Sequence, residues 1–208
     1  MTSRGALFSL SVAVSAVAAC RVDSRAYADT THAAPALTRI SDGGMIGTLA
    51  VVNSSEIEAA RLASSKATDA ELRALATQIV RDHEALQASL DTVTNAARAR
   101  RETTTDAAAI QARGQSLVDT LRTLGGADFD LAYAQAQVGD HQMVLQSLSA
   151  WQATADSRTL QQALRSARPV VQAHYDHASA ILSRLSAVGV DNVWKKQLGM
   201  PVAASGKP

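Results

Sequence analysis

Aromatic side chains are scarce in this chain, because Trp, Tyr and Phe together make up only 3% of its 208 residues. Since β-sheets depend on cross-strand pairs of large side chains, this scarcity argues against a sheet. Alanine, the strongest helix former, is abundant instead. A single cysteine excludes an intramolecular disulfide, so other interactions must hold the fold. These absences favour an all-α protein.

Clustered positive charge is also absent. The 20 Lys and Arg residues and the 19 Asp and Glu residues give a formal net charge of +1, with the two signs scattered along the chain. Nucleic-acid binding depends on basic patches that neutralise phosphates, so we expect no nucleic-acid partner. The length and the 47% hydrophobic content suit one well-filled core, which predicts a single domain.

The most apolar stretch of the sequence is too short to span a membrane. It covers residues 5–19 after Arg4, about 15 residues, whereas a spanning helix needs roughly 20. A charged start followed by an apolar run of this length indicates an export signal over residues 1–20. Residues 21–40 are small and polar and predict a flexible tether.

Cys20 ends this signal, in the run Val17-Ala18-Ala19-Cys20. The run resembles a bacterial lipobox, whose cysteine is lipidated and becomes the mature N-terminus. Because Arg21 and not an aspartate follows, the resemblance to lipoprotein sorting in Gram-negative bacteria implies an outer-membrane anchor facing the periplasm. The alternative is ordinary signal cleavage, near Ala18 or at Ala26-Tyr27-Ala28, without a lipid.

Apolar residues recur every three or four positions in four long segments, which is the spacing of an amphipathic helix. The predicted helices cover residues 42–66, 68–99, 128–154 and 157–187, with Ser41 or Asp42 capping the first and a capping box of Thr68 and Glu71 opening the second. Residues 100–127 predict a crossover with a short extra helix near residues 111–124. Residues 41–187 thus predict an antiparallel four-helix bundle, and residues 188–208 a disordered tail.

Each long segment has one metal-capable side chain on its apolar face: Glu56, His83, His141 and His174. The last segment shows the pattern best, since His174 interrupts a stripe of Leu160, Leu164, Ala167, Val171, Ala178, Ile181 and Leu185. A bundle buries such a stripe, and a buried imidazole is costly without a hydrogen-bond partner or a metal ion. With a rise of about 1.5 Å per residue, all four side chains fall near the middle of their helices, so we expect them to meet.

The residue types at this meeting point predict a metal site. Three imidazoles and a carboxylate suit Zn, Cu, Fe or Ni, whereas Mg or Ca would require more oxygen ligands. The expected ligands are Glu56, His83, His141 and His174. His177, one turn past His174, is a candidate fifth ligand or an outer hydrogen-bond partner.

Neighbouring polar residues are expected to support the site. Asp82 and Asp140 each precede a histidine and lie about 100° around the helix from it, so they are predicted to orient groups rather than to bind the same ion. Tyr133 and Asp130 are weaker candidates on or near the same face of the third long helix. The alternative for the whole cluster is a buried hydrogen-bond network in which Glu56 accepts from histidines and no metal binds.

Familiar enzyme signatures are missing from the sequence. His83-Glu84 begins like a zincin motif, but Gln87 stands where the second histidine is required. A carboxylate-bridged di-iron site needs a glutamate three residues before each histidine, and Val80 and Val138 occupy those positions. The residues therefore favour one metal ion over two and assign no enzyme class.

The chain resembles an exported bacterial family, domain of unknown function 4142, over residues 41–186. The resemblance rests on the Glu56 region and on three runs, Val80-Arg81-Asp82-His83, Phe129-Asp130-Leu131-Ala132-Tyr133 leading to Val138-Gly139-Asp140-His141, and Arg168-Pro169-Val170-Val171-Gln172-Ala173-His174. It implies a ferritin-like four-helix bundle in the cell envelope. It supplies no function.

The leading hypothesis is an exported, lipid-anchored helical bundle that binds one transition metal ion and acts in metal handling or envelope stress. A second interpretation is a non-catalytic envelope interaction module whose inner polar cluster is structural. Oxygen or peroxide chemistry is a third, and it rests on the ferritin-like resemblance alone.

Overall fold

The computed structural model describes residues 40–97 and 99–197, with side chains over 40–96 and 99–187. These residues form five helices and no strand, which confirms the predicted all-α class. The helices are α1 (Asp42–Lys66), α2 (Ala70–Ala97), α3 (Thr105–Thr123), α4 (Gly126–Thr154) and α5 (Arg158–Gln197). The predicted export signal with Cys20, the tether and the end of the predicted tail lie outside the described residues. No helix in the described part of the chain is long and apolar enough to cross a membrane.

The start of α1 is the one that the sequence predicts. The Ser41 hydroxyl accepts a hydrogen bond from the backbone N–H of Gly44 at 3.0 Å, which satisfies one of the free donors in the first turn. Asp42 adds a negative charge to that turn, where the helix dipole favours it.

The start of α2 differs from the prediction. Asp69, not Thr68, caps the helix, because its Oδ1 accepts the backbone N–H of Leu72 at 2.9 Å. The predicted capping box of Thr68 and Glu71 is therefore wrong, since each of those side chains has another partner. Glu71 accepts from Arg184 at 3.0 Å, and the Thr68 hydroxyl donates to Asp130.

Asp130 fixes the α1–α2 turn and lies outside the group of close donor atoms formed by the three histidines. Its carboxylate accepts the backbone N–H groups of Thr68 and Asp69, each at 2.9 Å, and it is 2% exposed. Since Asp130 lies in the first turns of α4, these bonds attach the start of α4 to the end of α1.

The four long helices α1, α2, α4 and α5 run antiparallel to the long helices they pack against, whereas α3 runs parallel to α1. At one end of α1 and α4, Thr68 meets Asp130, and at the other end Asp42 accepts the backbone N–H of Asp156 at 2.9 Å. Helix α5 is likewise antiparallel to α2, because Arg184 bonds Asp69 before α2.

Helix α3 belongs to the predicted crossover but is longer than the short helix expected there. It begins at Thr105 because the Thr104 hydroxyl accepts the backbone N–H of Ala107 at 2.9 Å. Its end lies beside the end of α1, where the Lys66 ammonium donates to the carbonyls of Leu121 and Arg122 at 2.9 and 2.7 Å.

Two apolar clusters fill the bundle, one towards each end. The first includes Leu72, Leu75, Ile79, Phe129 and Ile181, and the second includes Met45, Ile46, Leu148, Leu160 and Leu164. The buried polar side chains of Asn53, Glu56, His83, Gln137, His141 and His174 come, in sequence, between the members of the two clusters on each long helix. A polar layer therefore divides the core.

Helix α5 also continues past its predicted end. The sequence predicts a disordered tail from residue 188, whereas α5 extends to Gln197. Gly189 costs only about 1 kcal/mol relative to alanine inside a helix, and no proline follows before Pro201, so nothing local stops the helix.

Gly47→Ala should destabilise the fold. A Cβ at residue 47 would lie 2.0 Å from the carbonyl oxygen of Glu102, on the connection that leads into α3. Because that neighbour is backbone, it must move, and we expect a loss of about 1–3 kcal/mol in the free energy of unfolding by urea denaturation.

Gly139→Ala is the matched control within a helix. Nothing lies within 4 Å of a Cβ at residue 139, so the helix propensity of alanine should stabilise the protein by up to about 1 kcal/mol. Equal effects of the two substitutions would contradict the close approach of Glu102 to Gly47.

Candidate metal centre

Three histidines from three helices meet in the polar layer. His83 of α2, His141 of α4 and His174 of α5 each offer one ring nitrogen, and these three atoms all lie within 4.8 Å of one another. The side chains are 1–2% exposed, and their ring centroids are 5.2–5.7 Å apart. The expected convergence therefore holds for all three histidines.

Two of the histidines have an outer nitrogen bound to an acceptor that has no proton. His174 Nε2 lies 2.9 Å from a carboxylate oxygen of Asp82, and His141 Nδ1 lies 3.0 Å from the backbone carbonyl of Gln137. Since these oxygens can only accept, the imidazoles donate, and each outer nitrogen bears the hydrogen. Asp82 thus has the orienting role that the sequence predicts for it.

The ring hydrogen of His83 is also placed on the outer nitrogen, by a chain of hydrogen bonds that ends at the carboxylate of Asp91. Asp91 accepts from Gln87 Nε2 at 2.9 Å, so the Gln87 carbonyl is left to accept from Asn53 Nδ2 at 3.3 Å. The Asn53 carbonyl then accepts from His83 Nδ1 at 3.0 Å. Because a carboxylate only accepts, the whole chain has one polarity, and His83 also bears its hydrogen on the outer nitrogen.

In the neutral rings, the three nitrogens that face the centre of the cluster therefore have no hydrogen. A neutral imidazole has one N–H, and each ring has already used it on its outer side. His83 Nε2 has no hydrogen-bond partner, and His141 Nε2 lies 3.2 Å from His174 Nδ1. Three lone pairs thus face a common point, where a cation would satisfy all of them.

The spacing of these atoms is close to that of a metal site. Two ligands bound to one ion at about 2 Å are at most about 4 Å apart. The observed limit of 4.8 Å exceeds this, so binding would draw the rings together by up to about 1 Å. Histidine ligands in metal sites commonly donate their other N–H to a carboxylate or a carbonyl, as all three rings do here.

Burial favours the neutral form of all three rings, which is the form that binds metals. It lowers the pKa of His141 to about 4. It also holds the pKa of His83 well below its ordinary value, and there the neighbouring rings of His141 and His174 add to the shift. Burial also lowers the pKa of His174, although the hydrogen bond to Asp82 opposes this.

Glu56 lies in the polar layer but outside the group of mutually close donor atoms. Its carboxylate accepts from Gln137 Nε2 at 3.0 Å, and burial raises its pKa to about 7. The expectation that Glu56 joins the three histidines as a ligand is therefore not met. The buried Tyr133 hydroxyl has no hydrogen-bond partner, and burial, with the charge of Glu56, raises its pKa well above the ordinary value.

His177 is not brought to the cluster either. Its Nε2 lies 3.1 Å from a carboxylate oxygen of Glu71, and its side chain is 35% exposed. Three residues beyond His174 the helix is about 60° short of a full turn. The ring of His177 therefore lies to one side of His174 and faces the outer edge of α2 instead of the centre. Asp140 pairs with Arg113 of α3 at 2.9 Å.

Sequence reasoning missed two polar side chains of the layer, Asn53, which orients His83, and Gln137, which donates to Glu56. Both follow a recognisable signal, because Asn53 lies three residues before Glu56 and Gln137 lies four residues before His141. A polar residue one turn away on the same apolar face is a neighbour of the site. The partner of Asp140, Arg113, had no such signal, since it comes from the crossover.

Comparison with known proteins gives one match. The family model described as Domain of unknown function (DUF4142) matches residues 26–181. The chain belongs to this family. No curated protein and no solved structure gives a match. Membership agrees with the resemblance seen in the sequence and leaves the function to be argued from the site.

Replacing Glu56 with glutamine should stabilise the metal-free protein above pH 7 and change little below pH 4.5. The carboxyl has a pKa of about 7 in the folded protein, against an ordinary value of 4.5, so between these pH values the folded state holds the extra proton. Wild-type stability is therefore lost as the pH rises through this window, whereas glutamine does not titrate. The full difference is about 3 kcal/mol, at about 1.36 kcal/mol per pH unit.

Urea denaturation at pH values on both sides of the window measures this difference. The control is Glu58→Gln on the same helix, because the Glu58 side chain is 50% exposed and should show no comparable gain. A stability difference between Glu56→Gln and wild type that is independent of pH would contradict the buried titration.

Proposed function

We propose that this protein binds one transition metal ion through His83, His141 and His174. The observation that supports this is the proton pattern: three acceptors take the only hydrogen of each neutral ring, so three lone pairs converge. Without a cation, two of these nitrogens face each other at 3.2 Å with no hydrogen between them unless a ring is charged. Burial opposes that charge.

The donor set limits the identity of the ion. Imidazole nitrogen suits Zn, Cu, Fe and Ni, whereas the hard ions Mg and Ca prefer oxygen. The donors would be His83 Nε2, His141 Nε2 and His174 Nδ1, and Asn53, the Gln137 carbonyl and Asp82 would hold the rings in place. Glu56, outside this group, is proposed as a buried acid linked to the site through Gln137.

The setting of the site is also a proposal. The antiparallel contacts of the four long helices and the crossover containing α3 support a ferritin-like four-helix bundle. The sequence of residues 1–20 supports export, and Cys20 supports a lipid anchor in the outer membrane. In that compartment a bound transition metal would serve metal handling or the response to envelope stress.

A structural role for the cluster is the alternative, in which the protein is a non-catalytic envelope interaction module. One observation favours it: the separation of His141 Nε2 and His174 Nδ1, 3.2 Å, is also that of a hydrogen bond. If one ring were protonated, the layer would be a buried network without metal, and such networks can select one bundle arrangement.

Metal binding should be lost in His141→Leu and kept in His177→Leu. Both changes remove an imidazole, but only His141 belongs to the cluster. Elemental analysis should find one ion per chain in the wild type and in His177→Leu. At about 100 times its Kd, the ion should raise the free energy of unfolding by about 2.7 kcal/mol in these two proteins only.

The same variants distinguish the alternative. If the cluster is a structural network, His141→Leu without metal should be less stable than the wild type, because the substitution leaves the buried His174 ring without its partner. A wild-type protein whose melting temperature is indifferent to Zn, Cu and Fe, and to a chelator, would overturn the metal proposal.

Lipidation of Cys20 can be tested separately. Expressed in a Gram-negative host with labelled palmitate, the wild type should incorporate label and fractionate with the outer membrane. Cys20→Ser should do neither, because the thiol that receives the lipid is gone. A mature N-terminus after Ala18 or Ala28, without lipid, would contradict the anchor and support ordinary cleavage.

A further inference from the structure

A cavity of about 40 Å³ adjoins the histidine cluster on one side. It lies among α1, α2, α4 and α5, towards the cluster of apolar residues that includes Leu148, and His83 and Asn53 form part of its wall. At about 10–15 Å³ for each water-sized probe, it has room for a molecule of a few atoms. Of the three rings of the cluster, His83, whose inner nitrogen has no hydrogen-bond partner, is the one that forms part of the cavity wall.

The wall of this cavity is unsuited to water. Apart from His83, Asn53 and Ser89, every lining residue is apolar. The Asn53 amide is already bonded to His83 and to Gln87. Since a buried water needs two to four polar partners, a small molecule of low polarity fits better.

Small side chains border the cavity on its outer side. Ser89 of α2 is exposed, and Ala163 and Ala167 of α5 are partly exposed. These three residues line the same cavity as His83, so the space extends from the region of the α2–α5 surface to the cluster. A molecule of a few atoms could reach His83 without unfolding of either helix.

The histidine cluster leaves a coordination position open. Within the described residues, the group of close donors contains three histidines and not Glu56. A tetrahedral ion with three protein ligands keeps a fourth position for a small molecule, in contrast with closed structural sites that use four protein ligands.

We propose that the open position is served by this cavity, and that its ligand is a neutral diatomic gas of the dioxygen or nitric oxide kind. The inference rests on the proposed metal site and adds the class of molecule that the bound ion meets. The apolar wall admits such a ligand and disfavours anions, which would lose their hydration on entering and find few polar partners along the wall.

Xenon tests the cavity without any metal. In metal-free wild-type protein, xenon should occupy the space beside His83, seen as a perturbation of the methyl signals of Leu148 and Val171 in the nuclear magnetic resonance spectrum. Ala167→Leu should abolish this, because the larger side chain fills the cavity. Ala180→Leu, on an exposed position of the same helix, is the matched control and should leave xenon binding unchanged.

Nitric oxide tests the open position in the Fe(II)-loaded protein. The wild type and Ala180→Leu should give an iron–nitrosyl absorption and spin-resonance signal. Ala167→Leu should bind the same amount of iron but bind nitric oxide about tenfold or more weakly, the scale on which one added carbon in a pocket discriminates. Ala163→Val is a second cavity variant, with the same expectation, in case Ala167→Leu does not fold.

The outcomes separate this inference from the metal proposal. If xenon binds but none of Zn, Cu and Fe does, the proposed function is overturned, and the gas site with it. If Zn or Cu binds and Fe(II) does not, the gas site is overturned and the metal site stands. If iron binds but xenon does not, or if the cavity variants bind nitric oxide as tightly as the wild type, the gas site is overturned and the metal site stands.

Discussion

The hydrogen bonds on the outer side of the three imidazoles determine what this protein can bind. Each neutral ring has one hydrogen, and Asn53, the Gln137 carbonyl and Asp82 each take it. The inner nitrogens are left as lone pairs, so the chemistry of the centre is set by groups that do not belong to it. Without these acceptors, the three rings could share hydrogens among themselves.

Burying this polar layer lowers the stability of the bundle. Apolar clusters on both sides supply the burial that drives folding, while the layer between them withholds several polar groups from water. Antiparallel packing brings the midpoints of α2, α4 and α5 together, and the bonds from Asp130 to the α1–α2 turn set the height of α4 against α1. A polar layer at one height in separate helices therefore depends on contacts at the far end of the bundle.

The sequence predicts much of this and fails in places with identifiable physical causes. The apolar period locates the long helices and places His83, His141 and His174 on buried faces, because a period of 3.6 is a local property. The cap of α2 depends on Asp130, which arrives from 62 residues away, so a local capping rule chose Thr68 and Glu71 wrongly. Helix α5 continues past residue 187 because a lone glycine weakens a helix without ending it.

The chain of hydrogen bonds from Asp91 to His83 makes the position of a buried ring hydrogen depend on a carboxylate at the surface. The amides of Gln87 and Asn53 can each turn over without breaking a covalent bond, and only the carboxylate at the outer end dictates which way they point. Asp91 lies about 12 Å along α2 from His83 and pairs with Arg101, on the connection towards α3. A chemical change at that exposed pair would exchange the donor and acceptor nitrogens of His83, a ring that is only 2% exposed.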